Sequence, residues 1–238
     1  MSRLDIIRRY LIERYSARRF VALALFVSGC GFLAVPAAQR MDLTEAFGSV
    51  IRGALVAYLI VLALRVWDDL EDRGHDALAH PDRITVRPEA AVPLRYLSLV
   101  SGGGAIALVA FGVEPGNRLL LCALLGVALG IWYWARTSLS PSRVIEAHVV
   151  LAKYPVIAYL AAPGTLTGRS GLTPAAPVFI AMYLLLCIHE AFDDPELFRS
   201  RVGRRVLVAE SVLMLPLLGL VIASISHPQL FFGRGPLQ

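Results

Sequence analysis

WDDLEDRGHDALAHPDRITVRP, residues 67 to 88, follows a long apolar run and places Asp68, Asp69, Asp72 and Asp76 within nine residues. In helical geometry Asp68, Asp72 and Asp76 stand one above another on a single face. Like charges at that spacing repel by roughly 0.2–0.5 kcal/mol per pair even on an exposed helix. A membrane helix gains no stability from such a stack at its end. Divalent cations would resolve the repulsion, because carboxylate oxygens suit hard Mg²⁺, which commonly shares its shell with substrate phosphates. Arg83 and Arg87 follow, with planar multi-donor heads fitted to phosphate oxygens. Acids, then arginines, at a membrane mouth read as a metal–diphosphate site.

The rest of the chain supplies the membrane. It has 238 residues, 57% of them hydrophobic, and a mean hydropathy of +0.64, too apolar for an ordinary soluble domain. Several runs approach the ~20 residues that cross a bilayer core. They predict an all-α polytopic bundle of about seven spans, near 20–37, 46–67, 92–113, 118–135, 145–162, 174–190 and 206–225. No ten-residue alternation recurs, so a barrel is not expected. Residues 1–19 form a basic segment, with Leu4, Ile7 and Leu11 on one face, suited either to an interfacial helix or to a plain anchor before the first span. Residues 20–238 form the single membrane domain.

Of the 23 basic residues only Lys153 is a lysine. The arginines concentrate in the N-terminal segment and in the loops after spans two, four and six. Under the positive-inside rule this puts the N-terminus in the cytoplasm. The net charge of +5 therefore reflects topology, and nucleic acid is not an expected partner. Cys30, Cys122 and Cys187 fall within spans at no pairable spacing, and read as apolar fillers rather than a disulfide or zinc set.

Span five carries Glu146, His148 and Lys153. Glu146 and Lys153, seven residues apart, share a helical face, and an ionisable residue at membrane depth points to a function in a cavity. Ser101 to Gly104 reads as a close-packing site for span three. Gly74 and His80-Pro81 are expected to break the helix after the acids, letting Arg83 and Arg87 fold back over them. Span six ends in a second acidic group, Glu190, Asp193, Asp194 and Glu196. By the parity of the spans it emerges on the same side of the membrane as the first.

Asp68-Asp69-x-x-Asp72-x-x-x-Asp76 resembles the Asn-Asp-x-x-Asp-x-x-x-Asp signature of the UbiA superfamily of intramembrane prenyltransferases, with Asp68 in place of Asn. Arg83, Arg87 and Pro88 look like that family's Arg-x-x-x-Arg-Pro continuation. The resemblance implies Mg²⁺ held by Asp68, Asp69, Asp72, Asp76, Glu190, Asp193 and Asp194. It implies a diphosphate bound by Arg83, Arg87 and Lys153, with Asp72, Asp193 and Lys153 taking part in catalysis. The implied substrate is an isoprenoid diphosphate, ionised to an allylic cation that alkylates a lipophilic acceptor. The alternative is a cyclase of the same superfamily, which forms a cyclic terpene without an acceptor. A transferase needs a group to orient the acceptor, for which Glu146, His148 and Glu190 are candidates. A cyclase needs aromatic faces, for which Trp132, Trp134, Tyr154 and Tyr159 are candidates.

Two departures from the family pattern stand out. The second motif has Leu197 where a third acid is usual, with Asp194 or Glu196 as substitutes. The family commonly has nine spans against seven here, so either a partner or homodimer covers the missing wall, or the cavity is smaller and more open to membrane lipid. A CDP-alcohol phosphotransferase would show Asp-Gly-x-x-Ala-Arg, which Asp69-Leu70-Glu71 does not match. Soluble isoprenoid synthases share the Asp-Asp-x-x-Asp string but not the apolarity. The remaining alternative is a non-enzymatic membrane protein whose acids merely solvate helix ends.

Overall fold

The computed structural model describes residues 2–35, 43–139, 142–164, 169–194, 197 and 200–226. Among them the chain is all-α. The order is α1 (Arg3–Arg14), α2 (Ala17–Ala34), α3 (Leu43–Glu71), α4 (Arg73–Ala79), two short 3-10 turns (Ile84–Val86 and Pro88–Ala90), α5 (Ala91–Ala110), α6 (Pro115–Leu139), α7 (Arg143–Leu151), α8 (Lys153–Ala161), α9 (Arg169–Asp193) and α10 (Arg201–Ser226). Seven stretches are long and apolar enough to cross a membrane: α2, α3, α5 with the turn before it, α6, α7 with α8, α9 and α10. The protein is a multi-pass membrane bundle, as the hydropathy pattern predicts.

Helix α3 is the axis of the molecule, packed against α2, α5 and α8. Its Val56, Ala57, Ile60, Val61 and Leu64 form the centre of the main apolar cluster. Lipid offers no hydrophobic drive between helices, so close backbone approach has to supply the packing. Gly31 of α2 and Gly53 of α3 provide it, because a Cβ on either would run into the α8 carbonyls of Ala158 or Ala161. On the other flank of α3, Gly102 and Gly104 face Ala63 and Leu59. Ser98 Oγ donates to the Ala63 carbonyl at 2.9 Å. Gly102 and Gly104 thus lie on the packed side of α5, and Gly103 faces open space.

Two local expectations are corrected. Gly74 does not break the helix: it lies inside α4, and the interruption falls at Asp72. The i→i−4 bonds nevertheless continue through it, from Asp72 N–H to the Asp68 carbonyl and from Asp76 N–H to the Asp72 carbonyl, so the stack keeps its axis. His80, before Pro81, ends α4. Span five is two helices meeting at Ala152. Pro155 has no N–H for the Leu151 carbonyl and its ring crowds that carbonyl, so α8 must start afresh at Lys153. In α1, Ile6 and Tyr10 are the buried pair while Leu4 is exposed. That helix, closed at its start by reciprocal Ser2–Asp5 bonds, docks on Leu62, Val66, Ile84 and Leu94 of the bundle.

The two ends of the bundle are built differently. At one end Arg118 is buried and donates to the carbonyls of Leu160 at 3.2 Å, Ala162 at 2.7 Å and Gly164 at 2.8 Å. It thereby satisfies groups that a helix terminus in lipid leaves open. Nearby, Arg52 donates to the Leu108 carbonyl at 2.8 Å. The other end carries the acidic stretch.

Candidate functional site

The end of α3 and all of α4 hold the four aspartates, and each meets a base from a different part of the chain. Asp68 Oδ2 accepts from Lys153 Nζ at 2.8 Å. Lys153 reaches it because the restart at Pro155 places it on the first turn of α8, where its side chain is 5% exposed. Asp72 pairs with Arg136 at the end of α6, and Arg136 also bonds Glu146 Oε1 at 3.2 Å. Asp76 pairs with Arg83 at 2.6 Å, the fold-back expected of the loop after Pro81. Asp68, Asp72 and Asp76 thus form the expected stack, each carrying its own counter-charge.

Asp69 is turned elsewhere. Its side chain is 2% exposed and bonds Arg14 at 2.7 Å, with Arg65 at 3.4 Å. Tyr10 Oη donates to it at 2.9 Å. Burial first, and the Asp69 charge second, push the Tyr10 phenol far above its ordinary range, so it remains a donor. The adjacent Glu13 behaves oppositely. Burial alone would raise its carboxyl, but bonds from Arg9 and the Ile84 N–H bring it below the usual range. Asp69 therefore fastens α1 to α3 and does not join the metal face assigned to it from sequence. Arg87 lies within electrostatic range of Glu13, and its carbonyl accepts from Arg73 at 3.1 Å.

The second acidic group approaches the first through Arg65, whose guanidinium lies within electrostatic range of Asp68, Asp69 and Glu190. Tyr154 likewise senses both Asp68 and Glu190. Asp193 is exposed and pairs loosely with His189, at 4.0 Å. The Asp194 N–H donates to the Glu190 carbonyl at 2.8 Å. Leu197 is buried, and Glu196 lies outside the described residues. Glu190 is the member of this group drawn towards the first. Glu146, expected on one face with Lys153, is instead separated from it by the break at Ala152 and belongs to Arg136 and Arg143.

Whether these residues suit an oxygen-ligating cation can be judged from their free atoms. Asp68 Oδ1 and Asp76 Oδ2 are buried without a hydrogen-bond partner, which leaves two acceptor oxygens on the stacked face. Among the described residues, however, no three carboxylates bring oxygens within 4.8 Å of one another; the one group that does so is His148, Cys187 and Glu210. The acids thus suit a metal that takes one or two carboxylates and completes its shell with water and phosphate, as Mg²⁺ does. Beneath them Tyr133 packs against Trp67 at 5.3 Å, and the Arg136 guanidinium lies 5.0 Å from the Tyr133 ring centre. Trp134 is exposed, as a membrane-interface residue would be. Arg136 and Glu210 are among the residues that the sequence did not assign to a site. Glu210 was detectable as an acid inside an apolar span.

No family model, curated protein or solved structure matches the chain.

Proposed function

We propose that the chain is an intramembrane prenyltransferase of UbiA type, which ionises an isoprenoid diphosphate at the charged end of the bundle and passes the prenyl group to a lipophilic acceptor. One observation carries this reading: Asp68, Asp72 and Asp76 share a face, and Lys153, Arg136 and Arg83 converge on it from three other segments. Plain helix-end solvation would require neither the convergence nor a buried lysine. Asp68 and Asp76 stand about 12 Å apart along the helix, so each free oxygen would be the single protein carboxylate on an Mg²⁺ of its own, and such an ion would supply positive charge to the diphosphate as it departs.

The chain's own bases do the rest. Lys153, Arg136 and Arg83 exchange carboxylate for phosphate oxygens, which fixes the diphosphate at the mouth and directs the prenyl chain into the apolar layer. Heterolysis of the C1–O bond leaves its electron pair on the diphosphate, where these three cations stabilise it. The ring faces of Trp67 and Tyr133 suit the allylic cation left behind, and the acceptor then bonds to C1 and sheds a proton. Arginine placement in the loops puts this mouth on the cytoplasmic side.

The test uses the full chain in detergent with Mg²⁺ and geranyl, farnesyl or geranylgeranyl diphosphate, with and without a membrane-lipid extract as the source of acceptor. Mg²⁺-dependent diphosphate release with a prenylated lipid is expected, reduced at least about 100-fold in Arg136→Gln, the loss seen for single charge-stabilising groups. No release from any substrate would overturn the assignment. A cyclic hydrocarbon or alcohol formed without acceptor would replace the transferase by a cyclase.

A further inference from the structure

A second polar cluster lies inside the bundle, away from the aspartate stack. His148 of α7, Cys187 of α9 and Glu210 of α10 bring one ligand atom each within 4.8 Å of one another. Cys187 and Glu210 are buried. Counted from the helix ends at Arg143, Asp193 and Arg201, the three sit about 8–14 Å deep at 1.5 Å per residue, in one layer. The cleft around them has apolar walls that include Leu151, Ala191 and Leu207.

The hydrogen bonding of His148 decides what the cluster needs. Its Nδ1 lies 2.6 Å from the Val144 carbonyl oxygen. A carbonyl can only accept, so Nδ1 carries the proton. In the neutral ring Nε2 then presents a lone pair, and it faces Glu210 Oε1 at 2.6 Å. At that distance the two acceptors share a proton, and a tetrahedral metal could replace it only with the two atoms parted to about 3.3 Å. A backbone carbonyl holding the far nitrogen of a ligating histidine is the usual second-shell arrangement. The Cys187 sulfur adds a soft donor, which disfavours Mg²⁺ and Ca²⁺.

We infer that His148, Cys187 and Glu210 bind a borderline divalent cation of the Zn²⁺ class through imidazole, thiolate and carboxylate, leaving a fourth position open to the cleft. On this proposal Cys187 is a ligand, where the sequence reads it as an apolar filler. The site explains how α10 is retained: it is the least buried of the seven spans, at 11%, and it packs chiefly on α9. The metal ties it to α7 as well. Binding displaces the Cys187 thiol proton and the proton shared by His148 and Glu210.

The experiment is a titration of the chelator-stripped full chain in detergent with Co²⁺, a spectroscopic stand-in for Zn²⁺. Saturation at one equivalent is expected, with a thiolate-to-cobalt charge-transfer band that Zn²⁺ bleaches and a thermal midpoint that rises with Zn²⁺. Cys187→Ser should lose the band, and His148→Gln or Glu210→Gln should weaken binding at least about tenfold, the lower range for damage to a metal site. His189→Ala should change nothing, since His189 and Asp193 form the competing exposed pair. A wild-type protein with no saturable band and an unmoved midpoint overturns the site and leaves a proton between His148 and Glu210. Loss of the band in His189→Ala overturns it in favour of an adventitious surface metal.

Discussion

Asp68 and Asp69 are neighbours in sequence with different roles, because one residue turns a helix by about 100°. Asp68 looks along the stack to Lys153, and Asp69 looks to Tyr10 and Arg14. Asp69→Asn should therefore act on stability. It leaves Arg14 and Arg65, both partly exposed, without their counter-charge and the buried Tyr10 with a weaker acceptor, which costs about 1–3 kcal/mol. Asp72, at 43% exposed, should cost less than about 1 kcal/mol on the same change. Thermal unfolding of both variants in detergent checks the order, and equal midpoints would mean that Asp69 is not the fastening point of α1. The stack was legible in the sequence because helical period alone puts Asp68, Asp72 and Asp76 on one face. The role of Asp69 was not, because Tyr10 and Arg14 lie 59 and 55 residues away and no local pattern names them. Arg136 was hidden for the same reason, since near a span end an arginine looks like any other topology charge.

At the scale of the helix, glycines divide by what surrounds them. Gly53 of α3 lies against α8, where a Cβ would meet the Ala161 carbonyl and Ser28 Oγ, both inside the packed core. Gly53→Ala should destabilise by about 1–3 kcal/mol, the range for overpacking. Gly74 of α4 has nothing within 4 Å of a Cβ, so Gly74→Ala should stabilise by about 0.5–1 kcal/mol through helix propensity. Midpoints shifting in opposite directions would support both placements; a fall in both would mean that α4 is not helical at Gly74. The spans were legible as elements because bilayer thickness sets a minimum apolar length, and each expected span overlaps an observed one. The break in span five was not, because a hydropathy window counts Pro155 as one weakly polar residue and is blind to the carbonyl it orphans. The docking face of α1 was not legible, because Leu4, Ile7 and Leu11 satisfy the period as well as Ile6 and Tyr10 do, and only the bundle chooses between them.

Across the whole molecule, arginine placement predicts an inside N-terminus and, from seven spans, an outside C-terminus. Labelling Ser2→Cys and Gln238→Cys from outside intact cells should modify only the second; modification of Ser2→Cys would invert the orientation. The two rims of the bundle also differ in what holds them. One is held by charge on charge, through Asp72, Asp76, Arg83, Arg136 and Glu146. The other is held by Arg118 and Arg52 on neutral carbonyls. Dissolved ions compete with and screen the first kind of contact far more than the second. Raising ionic strength should therefore loosen the molecule from one side only. Deuterium uptake should quicken at the backbone amides of residues 73–90 in concentrated salt and stay unchanged at 158–164. Uniform quickening would refute this. A membrane protein built so would meet its salt-laden aqueous face with a compliant rim and keep the opposite rim shut.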